Sequence, residues 1–301
     1  MSLSREQKLG GIFAASAYTL WGLAPLYFKQ IDFIAATEIL IHRVIWSFLL
    51  LFIILFALRQ LNNVLQALKQ PLLVLTLLCS ALLLCANWGV FIWAVNNHHM
   101  LDTSLGYYIN PLLNIVLGMF FLGERLRPLQ WLAVVLAAFG VLVQLILLGS
   151  LPWISLFLAG SFAVYGLIRK KLAVDALSGL FIESMLLLPL AVAYWLWLPA
   201  TATSDLFSNS WQLNSLLIGA GLVTTAPLLC FIAGARRLQL STMGFFQYIG
   251  PSFTFVFGVW LYQEPLQLAK IVTFGFIWLA LLVYSYDAWL RSRPLNHKQN
   301  V

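Results

Sequence analysis

Charge is the scarcest commodity in this sequence. Asp, Glu, Lys and Arg make up 9% of its 301 residues, where soluble domains run at roughly 25%. A water-facing surface cannot be built from such material, and no stretch is left over for a soluble catalytic domain. Cysteine is scarce too. Cys79, Cys85 and Cys230 are odd in number and lack CxxC spacing, which excludes a disulfide framework and a zinc knuckle. Each falls in an apolar run and reads as a small buried hydrophobe. The GxxxxGK[ST], GxSG and HExxH patterns are absent, as are paired aspartates within the apolar runs. Direct ATP drive and the common hydrolytic centres therefore have no signature here, and no cofactor is expected.

What is abundant is hydrophobic sequence, 62% of the chain. It falls into runs of about 20 residues, each long enough to cross a bilayer core of about 30 Å. Ten helical spans are expected, at about 10–29, 38–57, 71–95, 103–122, 129–148, 152–169, 179–198, 211–235, 241–262 and 268–289. The first follows Arg5 and Lys8 as a signal peptide would. Its small-residue triplet Ala15-Ser16-Ala17 lies inside the apolar stretch, however, so a retained span is expected.

The net charge of +7 is spread over short loops, a pattern of membrane topology and not of nucleic-acid binding. With the amino terminus in the cytoplasm, that side collects Arg5, Lys8, Arg59, Lys69, Arg125, Arg127, Arg169, Lys170, Lys171, Arg236, Arg237, Arg291, Arg293 and Lys298. The other side has Lys29, Arg43 and Lys270. The positive-inside rule then puts both termini in the cytoplasm. On this reading the Arg169-Lys170-Lys171 and Arg236-Arg237 clusters are topology anchors. His98, His99 and Asp102 fall on a short outward loop. They lack a further His or Cys to converge on a metal, so no metal site is expected.

A shift of 140 residues lays "YYINPLLNIVLGMFFLGERL" (107–126) over "QYIGPSFTFVFGVWLYQEPL" (247–266), matching Tyr108 with Tyr248, Pro111 with Pro251, Gly118 with Gly258 and Glu124 with Glu264. Near-offsets align "TSLG" (103–106) with "STMG" (241–244) and "AASAYTLWG" (14–22) with "LAGSFAVYG" (158–166). Two five-helix halves follow, residues 1–150 and 151–301. An odd number of spans per half makes the halves inverted repeats, an arrangement typical of secondary transporters with a midplane site. The expected fold is all-α and polytopic.

With Gly-Glu-Arg-Leu at 123–126, this organisation resembles the EamA group of the drug/metabolite transporter superfamily. "FIWAVNNHHMLDTSLGYYINPLLNIVLG" (91–118), "STMGFFQYIGP" (241–251) and "LIHRVIWSF" (40–48) more closely resemble a RarD-type permease, a subgroup whose name is linked to chloramphenicol sensitivity. The resemblance covers residues 8 to 290. It implies a bacterial inner-membrane protein that moves small molecules through a central cavity between repeats.

Candidate path residues follow from polarity in a place where it is costly. An unpaired polar group in hydrocarbon costs several kcal/mol, so Tyr107, Asn110, Asn114, Gln247 and Thr254 should not face lipid. They fit a cavity and helix–helix packing equally, while Gly118 and Gly258 fit packing better. Trp21, Trp88 and Asn87 lie deeper than an interfacial belt. Tyr18, Trp93 and Tyr165 complete the aromatic set. Arg43 and Glu183 are the charges within spans, with Glu38 and His42 nearer the outer edge. Arg43 and Glu183 are a repeat-equivalent pair about 15 Å apart in depth at ~1.5 Å per residue, so snorkelling to opposite surfaces is expected in place of an ion pair. Glu183 is the candidate proton-coupling carboxylate. Glu124 and Glu264, beside the expected starts of the fifth and tenth spans, read as caps of those helices.

The expected function is alternating-access transport of small organic metabolites or drugs, with export as net direction. The alternatives are uptake or exchange by the same fold, a membrane-embedded enzyme and a passive channel. The expected partners are a small-molecule substrate and the lipid bilayer. Oligomeric state, coupling ion and substrate identity are not legible.

Overall fold

The computed structural model describes residues 5–96, 100–148, 153–198, 201, 206–260 and 268–292, and these contain helices and turns without a strand. The first half of the chain contains α1 (Arg5–Phe28), a 3-10 turn (Lys29–Ile31), α2 (Ala36–Ala57), α3 (Leu61–Leu68), α4 (Pro71–Asn96), α5 (Met100–Leu122) and α6 (Pro128–Leu148). The second contains α7 (Trp153–Lys171), α8 (Ala176–Trp197), α9 (Trp211–Arg237), α10 (Leu240–Gln247), α11 (Ile249–Trp260) and α12 (Leu268–Ser292). Among the described residues, six segments are long and apolar enough to cross a membrane: Arg5–Ile31, Ala36–Ala57, Pro71–Phe91, Ala176–Trp197, Trp211–Arg237 and Ile271–Leu290. Gly106–Leu122 and Pro128–Val143 are shorter apolar helical stretches.

Most boundaries lie where hydropathy puts them, and two elements differ. The stretch between the second and third runs folds into α3. Its Val64 and Ala67 are buried, and Leu61 and Leu68 pack against the same core. Spacings of three and four put these residues on one face, so α3 lies against α4 and α8 and is not a solvated loop. The single run expected at 241–262 is two helices broken at Tyr248. Pro251 has no N–H to bond the Gln247 carbonyl and its ring crowds that turn. The Tyr248 N–H turns instead to the Phe245 carbonyl at 3.3 Å, and the ladder resumes from Ser252 N–H to the Tyr248 carbonyl at 3.2 Å.

Lipid is no less apolar than leucine, so close packing and interhelical hydrogen bonds hold the bundle. Helix α1 packs on α9, α10 and α11; α2 on α8 and α9; α4 on α7 and α8; α5 on α7 and α10; and α6 on α12. The α2–α9 crossing depends on Gly221, where a Cβ would sit 2.6 Å from the Trp46 backbone carbon. One core joins Ala14, Ala17 and Tyr18 of α1 to Tyr165 of α7 and Phe231 and Ile232 of α9. Another joins Ile109 and Ile115 of α5 to Ala133 and Ala137 of α6 and Phe274 and Ile277 of α12. The outer surface carries large apolar side chains such as Phe56, Leu72, Phe120, Leu196 and Trp197, a face that suits hydrocarbon and would aggregate in water. Cys79 is on that exposed side, and Cys85 and Cys230 are half-buried. The expectation that all three are buried is corrected, because their positions on α4 and α9 do not all turn inward.

Candidate functional site

Four helices, α2, α4, α8 and α9, leave a narrow cavity between them. Helix α2 contributes Arg43, Val44 and Ser47, and α4 contributes Ala81, Leu84 and Trp88. Helix α8 supplies Leu180, Glu183, Ser184 and Leu187, and α9 supplies Thr224, Thr225 and Leu228. The cavity measures about 20 Å³, which admits a water molecule. Organic ligands fill pockets of hundreds of Å³. A solute can be held here only after the helices part.

Arg43 does not snorkel. Its Nε donates to Thr224 Oγ1 at 2.8 Å, and Thr224 in turn donates to the Ala220 carbonyl at 2.8 Å. The guanidinium lies 4.4 Å from the Trp88 ring centroid and 5.7 Å from that of Phe28. Cation–π attraction of this kind contributes about 0.5–2 kcal/mol. Among the described residues no carboxylate lies within ion-pairing distance of Arg43.

Glu183, on α8, is satisfied from within the protein. Its Oε1 meets the Ser80 hydroxyl, its Oε2 accepts from Tyr165 OH at 3.3 Å, and Arg169 Nε is 3.8 Å from Oε1. Arg169 and Glu183 are both buried. Arg169 is therefore not a solvated cation at the helix end, as a cluster of surface charges had suggested. It reaches back from the end of α7, over Gly179 of α8, where a Cβ would collide with the guanidinium. The Ser80 hydroxyl also lies 2.9 Å from the Leu77 carbonyl. Its one proton can serve Leu77 or Glu183, so the local pattern of donors depends on whether Glu183 carries a proton.

Arg43 and Glu183 thus share a cavity, where snorkelling to opposite surfaces was expected, and no ion pair joins them. Trp88 also lines this cavity. Of the remaining candidates, Tyr107 is near enough to Arg43 to interact with its charge, and the others lie elsewhere. Asn87 donates to the Leu158 carbonyl at 2.9 Å and to Ser161 Oγ at 2.8 Å, joining α4 to α7. Asn110 donates to the Ala159 carbonyl at 2.6 Å, and Asn114 donates to Asn110 Oδ1 and Gln247 Oε1, both at 3.0 Å. This chain of buried amides bonds α5 to α7 and α10. Trp21 sits in an aromatic cluster, 5.6 Å from the Phe162 ring and 5.8 Å from the Phe231 ring. Tyr107 is half exposed beside Phe91. The side chains of Thr254 and Asp102 and the surroundings of Gly258, together with His98, His99 and Glu264, lie outside the described structure. Thr224, Thr225, Ser47 and Ser184 were missed. Adjacent threonines two residues before Pro227, inside an apolar run, were the available signal.

Glu124 caps a helix, but not α6. Gly123, at φ 64°, turns the chain back after α5, and Gly118 leaves space for the carboxylate, since a Cβ there would lie 2.6 Å from Glu124 Oε2. Glu124 then accepts from Leu240 N–H at 2.6 Å, Ser241 N–H at 2.9 Å and Ser241 Oγ at 2.7 Å. These are the exposed donors at the start of α10. Lys170 closes the neighbouring end of α9 by donating to the Ala235 carbonyl at 2.8 Å and to that of Leu238.

Residues 8–146 match the model of the EamA-like transporter family. The protein RarD of Escherichia coli K12 is 54% identical over 285 residues, covering 95% of this chain and 96% of that protein. A transporter of Vibrio cholerae is 54% identical over 283 residues, 94% of each chain. The chloramphenicol-sensitive protein RarD of Pseudomonas aeruginosa is 32% identical, covering 93% of this chain and 94% of that protein. A protein crystal structure at 16% identity superposes with a TM-score of 0.70 over 94% of this chain and 99% of that one, a likeness of fold alone. With helices long and apolar enough to cross the bilayer and relatives matched over nearly its whole length, this chain is a multi-pass membrane protein that belongs to the EamA-like transporter family, as a RarD-type permease.

Proposed function

We propose that the chain is a secondary transporter of small organic metabolites or drugs in the bacterial inner membrane. It works by alternating access between two inverted repeats, 1–150 and 151–301, with ten spans, both termini in the cytoplasm and export as its net direction. The carrying observation is the cavity. Under the 140-residue shift Arg43 corresponds to Glu183, Val44 to Ser184, Ser47 to Leu187, Leu84 to Thr224 and Trp88 to Leu228. Ten of the cavity's thirteen lining residues are therefore partners under one shift, as a site on a pseudo-two-fold axis requires.

Helix pairing supports the same reading. The α1–α9 contact has its counterpart in α7–α4, α2–α9 in α8–α4, and α5–α7 in α11–α1. Exchanging the halves also returns α2–α8 and α6–α12 to themselves. An assembly with two such arrangements of similar energy can open to either side.

Glu183 is the group suited to couple this motion to protons. It is a buried carboxylate on the cavity, and its protonation redirects the hydroxyl protons of Ser80 and Tyr165. Trp88 and Arg43 are proposed to touch the solute. Asn87, Asn110, Asn114 and Gln247 hold the helices that surround it.

The test is a comparison of small organic metabolites inside and outside cells with and without the protein, repeated with Glu183→Gln. Solutes that accumulate outside only when the protein is present support export, and inward accumulation would reverse the direction. No difference in any solute class, or the appearance of a reaction product in purified reconstituted protein, would contradict the transporter reading.

A further inference from the structure

The cavity carries an unbalanced positive charge, and that points to the chemistry of its solute. Glu183 contributes one negative charge, which the buried Arg169 guanidinium 3.8 Å away offsets. Arg43 has no such counterpart. Its Nε is engaged by Thr224, its face lies on Trp88, and no acid among the described residues pairs with it. Glu38, five residues earlier on α2, does not line the cavity, and its carboxylate accepts from Thr201 Oγ1 at 2.9 Å. His42 turns its Nδ1 to Trp46. A charged guanidinium within a span costs several kcal/mol when unpaired and marks a functional site by default.

A second observation belongs to the same cavity. Thr225 Oγ1 is buried and has no hydrogen-bond partner among the described residues, although an unmet buried hydroxyl is costly. The remaining walls are apolar, formed by Leu84, Leu180, Leu187 and Leu228. Resting on the reading of this cavity as the solute path, we propose that the solute is a small organic monoanion bearing a carboxylate. Its carboxylate pairs with the free guanidinium nitrogens of Arg43 and accepts from Thr225, and its apolar body lies against the leucines and Trp88. A guanidinium matches a planar carboxylate in a fork of two parallel bonds. One cation neutralises one charge, which disfavours a phosphate dianion. With Glu183 ionised and a monoanion bound, the buried site is neutral overall.

The test works with small charged probes in place of the natural solute. In a variant with the three native cysteines replaced, Thr225→Cys is reacted with two methanethiosulfonates of similar size, the anionic sulfonatoethyl and the cationic trimethylammonioethyl reagents. Their rate ratio is referred to that on 2-mercaptoethanol. The expected result is an anion preference of about tenfold or more, lost in Arg43→Gln and retained in Arg43→Lys. Benzoate should slow the reaction and benzamide should not.

A ratio equal to that of the free thiol, a preference for the cation, or protection by benzamide as strong as by benzoate overturns the proposal while leaving the cavity reading intact. Stronger protection by inorganic phosphate than by benzoate also overturns it, in favour of a phosphate-bearing solute. Should Thr225→Cys fail to fold, Ser184→Cys on the same cavity is read in the same way. Absence of reaction with either reagent at both positions in folded protein would overturn this inference and the cavity reading together.

Discussion

Replacing Arg169 with Leu should make the protein's stability steeply dependent on pH. The Arg169 and Glu183 side chains are 0% and 3% exposed, with 3.8 Å between Nε and Oε1. Removing one partner of such a pair ordinarily costs about 3–5 kcal/mol, because the other charge is left buried. Glu183 can escape that cost by taking up a proton. Neutralising an ordinary carboxylate costs about 3.7 kcal/mol at pH 7 and about 1 kcal/mol at pH 5, at 1.36 kcal/mol for each pH unit above a reference near 4.3. The charge-dependent part of the loss is therefore capped at about 4 kcal/mol at pH 7 and shrinks by roughly three-quarters at pH 5. The sign is definite: the folded variant binds a proton that its unfolded chain does not, so its stability relative to the parent rises as pH falls from 7 to 5.

Thermal melts of the purified protein across this range provide the assay. Arg169→Leu should melt lower than the parent by roughly 5–10 °C at pH 7, with the gap narrowing at pH 5. The double variant with Glu183→Gln should recover most of the loss at pH 7 and show little pH dependence. A gap of constant size, or a double variant no more stable than the single, would refute the pairing of Arg169 with Glu183.

Other perturbations test the surrounding account. Glu124→Ala removes the acceptor for three donors at the start of α10 and should cost about 1–2 kcal/mol, read as a lowered melting temperature. Gly221→Ala puts a methyl 2.6 Å from the Trp46 backbone, and pushing α2 from α9 should cost about 1–3 kcal/mol and reduce the folded yield. For topology, single cysteines at Asp205 and Asn300 in a cysteine-free background should react on intact cells with an impermeant thiol reagent at 205 and not at 300; the reverse pattern would overturn the orientation.

Much of the helical framework was legible because hydropathy and glycine–proline punctuation are local. Runs at 38–57 and 71–95 fold as α2 and α4 with boundaries shifted by no more than two residues. The contacts that set the site are not local. Glu124 meets Leu240 and Ser241, 116 and 117 residues away, and nothing in its neighbourhood distinguishes that destination from the start of the next helix. Arg169 is the clearest case. A charge count sees three consecutive cations and assigns all to the water side, although only a rotation of about 100° along the helix separates Arg169 from Lys170. That rotation turns Arg169 inward to Glu183, while Lys170 reaches backbone carbonyls at the end of α9. The expected depth difference between Arg43 and Glu183 argued against a pair, and no ion pair joins them. That difference failed to suggest a shared cavity because depth counted along the helices does not say how far two long side chains reach toward each other.

Accessibility of the cavity from the two sides of the membrane tests the account most directly. Single cysteines at Ser47 and Ser184, both lining the cavity, would be exposed to an impermeant thiol reagent in right-side-out and in inside-out vesicles. Alternating access predicts labelling of each from both faces, in protein that still changes the distribution of metabolites between cells and medium. Labelling from one face only, or from neither, in protein that retains that effect would contradict it.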